Sequence, residues 1–231
     1  HYLGTYQTEE EAAKAPNDPN AQGRKKHAGD AIFEDVNNDG QLDSKDMKFM
    51  GYIRPDKVGG IVNSFKYKGL TVRVVMDWAM GHVIDNGFKG QIMGSSRNNN
   101  NAIKDAMTNS WQSANDGTKY PKYTVQSDYD YQYRNHMRWD NQIGSSESGS
   151  TNNSLYFSKG DYLAFREVSL SYMLPSTWVR KIRLSGVEVF AGAYNIGYIK
   201  KYDGMFPEIY TGVDYGVYPR PRQYNLSLIH I

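Results

Sequence analysis

Cysteine is absent from the 231 residues. That excludes disulfide frameworks and thiolate metal sites. Charge of one sign is also lacking: 27 Lys and Arg against 25 Asp and Glu leave a formal +2. The chain therefore has no global attraction to nucleic acid. No apolar run approaches the ~20 residues of a membrane-spanning helix. A membrane barrel stays open, because barrel strands alternate and give a weak hydropathy signal. The histidines His1, His27, His82, His136 and His230 are scattered, without metal spacing. No glycine-rich phosphate loop is present. Asp77 and Asp85 near His82 read as parts of a surface loop rather than a catalytic group, so no enzyme chemistry is expected. The chain opens on His1 instead of Met and offers no signal peptide, so it reads as a piece of something longer.

What is present is strand pattern, glycine and tyrosine. There are 19 Tyr and 22 Gly. In GIVNSFKYKGLTVRVVMDWAMG, Ile61, Asn63, Phe65 and Tyr67 share one face and Lys68-Gly69 make a tight turn. Val72, Val74, Met76, Trp78 and Met80 then alternate with Thr71, Arg73, Asp77 and Ala79. Period two of this kind predicts a β-hairpin with one apolar and one polar face. In DYLAFREVSLSYMLP, Leu163 and Phe165 line up with Val168, Leu170 and Tyr172 only if one residue near Arg166-Glu167 is skipped. That predicts a β-bulge. Two more strands are expected over 186–197 and 221–231. Residues 8–30 read as loop with one helical turn near Glu9–Lys14, and 101–112 as a short helix with Ile103, Ala106, Met107 and Ser110 on one face.

DVNNDGQLDSKD, residues 35–46, has the spacing of a calcium loop. Asp35, Asn37, Asp39, Gln41, Asp43 and Asp46 occupy the ligand positions, and Gly40 the sharp turn. Calcium needs six to eight oxygens, and alternate side chains converge only where the chain turns sharply. Asp46 stands where a longer Glu is usual, which weakens affinity. The competing reading is a surface turn, since Asp and Asn favour turns generally. The flanks leave no room for a helix–loop–helix hand.

YTVQSDYDYQYRNHMRWD concentrates aromatics among charges. Tyr129, Tyr131, Tyr133 and Trp139 could stack on a ligand's rings or meet a partner protein, or simply pack within the loop. Tyr67, Trp78, Tyr172 and Trp178 sit near strand ends and read as interfacial girdle residues.

The connections alternate between short and long: two residues, about eighty, about eleven, and more than twenty. Short turns at one end and long loops at the other are the pattern of outer-membrane barrels. GDAIFEDVNNDGQLDSKD, GGIVNSFKYKGLTVRV, GDYLAFREVSLSYMLPSTWVRKI, VFAGAYNI and YPRPRQYNL, in that order, resemble the C-terminal part of SusC/RagA-type TonB-dependent transporters of Bacteroidetes. The resemblance implies an all-β chain forming the C-terminal portion of a transmembrane antiparallel barrel of about 22 strands. It also implies an outer-membrane location and long extracellular loops. The implied partners are a SusD-like surface lipoprotein, the TonB complex acting through an N-terminal region, an oligosaccharide or peptide substrate and outer-membrane lipid; nucleic acid is not among them. Residues 1–231 would supply five to six strands. LSLIHI, residues 226–231, departs from the family's aromatic ending. It matches the in-frame translation of a transposase adapter, so native sequence is expected to stop near Asn225. The alternative function is a secreted, calcium-stabilised adhesin or glycan-binding module.

Overall fold

The computed structural model describes residues 1–21, 23–94, 104–114, 116–118, 120–123, 134–135 and 153–230. The strands are β1 (Tyr2–Thr5), β2 (Ala31–Phe33), β3 (Lys57–Tyr67), β4 (Leu70–Met80), β5 (Val83–Asp85), β6 (Phe157–Lys159), β7 (Tyr162–Met173), β8 (Val187–Lys200) and β9 (Gln223–His230). The α-helices are short: α1 (Glu9–Ala12), α2 (Gly87–Gly94), α3 (Lys104–Thr108) and α4 (Ser176–Val179). Two units form, one from residues 1–51, 84–158 and 211–216, the other from 52–83, 159–210 and 217–231.

The first unit is loop-rich and built from distant segments. β1 pairs antiparallel with β2, setting Tyr2 opposite Phe33 and Thr5 opposite Ala31. Ala31, Phe33 and Leu42 form a small core, closed by Tyr2 edge-on to Phe33. Thr8 caps α1 by accepting the Glu11 amide, which satisfies an otherwise unpaired helix-end donor. Asp30 is buried and holds residues 134–135 by hydrogen bonds from Arg134 Nε at 2.7 Å and Asn135 Nδ2 at 2.8 Å. Lys26 is buried beside it, donating to the Arg134 carbonyl and lying 4.0 Å from Asp18. Burial lowers the Lys26 ammonium to about 8, against the opposite pull of Asp18 and Asp30. The sequence reading assigned no strand to residues 1–7. A four-residue strand whose partner lies 26 positions away leaves no local signal.

The second unit centres on one five-stranded sheet in the order β3-β4-β7-β8-β9, each neighbouring pair antiparallel. Lys68 at φ 45° and Gly69 at φ 84° make the hairpin turn. Two residues with positive φ match the twist of the strands they join. The predicted bulge is present: Val75 faces Glu167 while the next residue, Met76, faces Phe165. Arg166 is the extra residue. β8 carries its own irregularity opposite, where Asn195 turns left-handed at φ 51°.

Register sorts the two faces. Trp78, Met76, Val74 and Val72 on β4 face Leu163, Phe165, Val168 and Leu170 on β7. β3 adds Ile61, Phe65 and Tyr67, and β8 adds Val189, Ala191 and Ala193. Tyr224 of β9 continues this apolar face. The opposite face carries Ser64 and Lys66, Arg73 and Asp77, Glu167, Ser169 and Ser171, and Asn225. Exceptions include Asn63 and Lys57 on the apolar side and Val62, Val75, Met173 and Phe190 on the polar side. Many apolar-face side chains remain in contact with solvent, among them Phe65, Leu170 and Tyr224. Tyr67 and Tyr172 mark the end beside the hairpin turn and Trp78 the other end. Trp78 lies across Gly59, where a Cβ would come within 2.4 Å of the ring. Glycine is what lets the indole lie over the neighbouring strand. Among the described residues β3 and β9 have one strand neighbour each.

Candidate functional site

The polar face of the sheet holds its chemistry around Arg166. A bulge re-aims the residue it inserts, and Arg166 forks between two carboxylates. Its Nε lies 2.8 Å from Asp77 Oδ1 and its Nη2 2.8 Å from Asp77 Oδ2. Its Nη1 lies 2.6 Å from Glu208 Oε1. Tyr198 donates its hydroxyl to the same Glu208 oxygen at 2.6 Å. Arg220 Nη2 reaches the second oxygen of Glu208 at 3.1 Å. Tyr162, Tyr198 and Phe206 stack edge to face beside the charges at 5.9 Å spacings. The Glu208 side chain is 1% exposed. Burial pushes its carboxyl upward, but the hydrogen bonds from Arg166 and Tyr198 and the charges of Arg166 and Arg220 outweigh that and lower it. Two carboxylates balance two guanidiniums, so the cluster is neutral in sum. It ties the 201–222 connection to the polar face of β4, β7 and β8.

Next to this cluster, at the end of the sheet with the long connections, lies a pocket of roughly 240 Å³. Ile53, Pro55, Ala79, Tyr162, Glu208 and Tyr210 line it. Glu208, Arg220 and Tyr198 were not singled out from the sequence. The one available signal was the break in period two at Arg166, which located the bulge and not its partners.

His82 and Asp85, expected on a surface loop, are instead buried. The His82 ring lies against Gly160, and the His82 carbonyl accepts the Gly160 amide at 2.8 Å. Asp85 is fixed by backbone bonds to Gly212 and Asp214. Asp77 is the partner of Arg166. These roles are structural, and they correct the surface-loop reading.

The 35–46 loop is flanked by a strand, β2, and by a single 3-10 turn at Ser44–Asp46. No helix–loop–helix hand is formed. Gly40 turns at φ 78°. Asp35 accepts the amides of Asp39 and Gly40 at 3.2 and 2.8 Å, Asn37 that of Asp39 at 3.0 Å, and Asp39 that of Gln41 at 3.0 Å. Asp43 and Asp46 cap the 3-10 turn reciprocally, and Asp46 also accepts the Val36 amide at 2.9 Å. The side-chain oxygens of Asp35, Asn37 and Asp39 are thus turned toward the loop's own backbone. Among the described residues no three acidic or histidine side chains converge as a metal cage. The Asp39 carboxyl is lowered, first by the Asn37 hydrogen bond and then by the Gln41 amide. Tyr129, Tyr131, Tyr133 and Trp139 lie outside the described residues.

No family model matches the chain. Three TonB-dependent receptors of Formosa agariphila do. P3 is 24% identical over 212 residues, covering 87% of this chain and 19% of its own length. P26 is 24% identical over 243 residues, with 98% and 21% covered. P39 is 24% identical over 183 residues, with 78% and 16% covered. Among solved structures, the RagAB peptide importer in its open-open state superposes with a TM-score of 0.60 at 19% identity, over 99% of this chain and 21% of that one. The RagAB peptide transporter gives 0.55 at 21% identity, over 76% and 17%. This chain is similar to the TonB-dependent receptors of the SusC/RagA type. It spans about a fifth of the length of the curated relatives it matches. The strand-rich fold is shared with that receptor type. Its relatives are named as receptors and its structural neighbours as transporters, not as enzymes.

Proposed function

We propose that the chain forms part of the barrel wall of an outer-membrane TonB-dependent transporter, importing peptides together with a SusD-like surface lipoprotein. One observation carries the reading: the five-stranded sheet has an apolar face that no described layer covers and a polar face bearing a charge network. A soluble sandwich needs a second layer on its apolar face, whereas lipid does the same work in a barrel. Peptide is favoured over glycan because the RagAB neighbours are described as peptide transporters. In this reading Tyr129, Tyr131, Tyr133 and Trp139 contact substrate or lipoprotein, and the TonB complex acts through a region outside this chain. The secreted adhesin remains the competing function. Expressed alone, the 231-residue chain should aggregate or need detergent, because two open strand edges and a bare apolar face have no partners. A soluble monomer with a cooperative melt would favour the adhesin instead.

Calcium in the 35–46 loop belongs to the same proposal. The oxygens of Asp35, Asn37 and Asp39 are of the kind a hard cation takes, and each would have to turn from the backbone amide it now accepts. Asp43 and Asp46 would have to leave their capping bonds to join them, so affinity should be weak. Calcium should slow proteolysis near Gly40, and a chelator should restore it. Equal cleavage rates with both would remove the metal from the proposal.

A further inference from the structure

The sheet end with the short connections carries a charge pattern that the transport reading does not use. Gly69 of the hairpin turn accepts the Met173 amide at 2.9 Å, and Leu174 donates to Val187 at 2.9 Å. The turn at Lys68-Gly69 and the 174–186 link are therefore side by side. α4 and the 3-10 turn Arg180–Ile182 that follows it fill this link. Val179 is buried, while Trp178 and Ile182 are 61% and 64% exposed. These two stand four residues apart, the spacing that puts side chains on one side of a helical turn. Arg180, Lys181 and Arg183 are exposed among them, and Lys68 is exposed on the adjoining turn. No described carboxylate pairs with any of the four. The nearest strand-end acid, Glu188, is paired in register with Met173 and so lies on the polar face, opposite to Tyr172. The apolar face reaches this end through Tyr67 and Tyr172, and Lys68 Nζ lies 5.2 Å from the Tyr67 ring centre.

We infer that Lys68, Arg180, Lys181 and Arg183, with Trp178 and Ile182 inserted beside them, form a docking surface for anionic phospholipid headgroups in the leaflet at the short-turn end. Two arguments select this occupant. The cations are complementary to a negative headgroup layer, which attracts basic residues placed next to a membrane span. The apolar residues between them are the amphipathic type that settles at a headgroup boundary, where long cationic side chains keep their charge in the polar zone. A soluble acidic protein would satisfy the charges but would leave the exposed Trp178 and Ile182 without an apolar partner. This inference rests on the barrel reading.

The test uses the full-length transporter reconstituted in phosphatidylcholine vesicles with or without phosphatidylglycerol. Brominated forms of either lipid quench nearby tryptophan, and subtracting a Trp178→Phe variant isolates the Trp178 signal. Brominated phosphatidylglycerol should be preferred at Trp178 by about fivefold or more, the factor one cation supplies at such a surface. High salt should reduce the preference, and changing Lys68, Arg180, Lys181 and Arg183 together to Gln should abolish it. Equal quenching by the two lipids, or a preference that survives the four substitutions, overturns the inference and leaves the barrel reading standing. Failure to insert into either vesicle overturns the barrel reading, and the inference with it.

Discussion

Val74→Arg should abolish or strongly impair assembly in the outer membrane, while Arg73→Ala should assemble almost normally. The two residues are neighbours in β4, and period two puts them on opposite faces. Val74 pairs with Val168 and Asn63 on the apolar face near the middle of the strand. In the proposed barrel a guanidinium there would meet lipid hydrocarbon near the bilayer midplane, at a cost of about 2–4 kcal/mol. Arg73 pairs in register with Ser169 on the polar face, and its Nε lies 3.4 Å from the Glu167 carboxylate. The Arg73 side chain is 45% exposed, so this is a screened pair of the kind worth about 0–1 kcal/mol. The measurement is the heat-modifiable fraction of the full-length protein in isolated outer membranes. Normal folding of Val74→Arg together with failure of Arg73→Ala would show that the faces are reversed.

Removing Arg166 should be the most damaging change on the polar face. Arg166→Met leaves Asp77 and the buried Glu208 without the guanidinium that separates them. Breaking a buried ion pair outright costs about 3–5 kcal/mol, and the loss here should fall below that range because Glu208 keeps Arg220 and Tyr198 and Asp77 is partly solvated. Arg166→Lys should recover only part of this, since an ammonium cannot fork to both carboxylates as the planar guanidinium does. The loss should appear as a lower urea midpoint for the protein folded in bilayers and as faster cleavage within 201–222, the connection that Glu208 anchors. Changing Glu208 to Gln in the Arg166→Met background should restore some stability by removing a buried charge that has lost its nearest guanidinium. If Arg166→Met unfolds at the wild-type midpoint with the 201–222 connection still protected, the network does not hold that connection.

Alternation along residues 61–80 fixed the hairpin, its turn and both of its faces before any coordinates. In a strand each side chain's direction follows from its position alone, and Lys68-Gly69 is a local turn signal. The break in period at Arg166 likewise located a bulge, and the pattern of connection lengths placed the short and long ends. The spacing of Asp35, Asn37, Asp39 and Gly40 marked a turn with calcium-loop spacing, while the bonds from those side chains to the amides of residues 39–41 came only from the structure. What only the tertiary structure decided are the long-range pairings. The sequence reading had nothing to link Tyr2 with Phe33, Asp30 with Arg134, or Arg166 with Glu208, because these contacts join segments 31, 104 and 42 positions apart. Their charges read as ordinary polar loop until the backbone brings them together, and burial is what then makes each pairing obligatory.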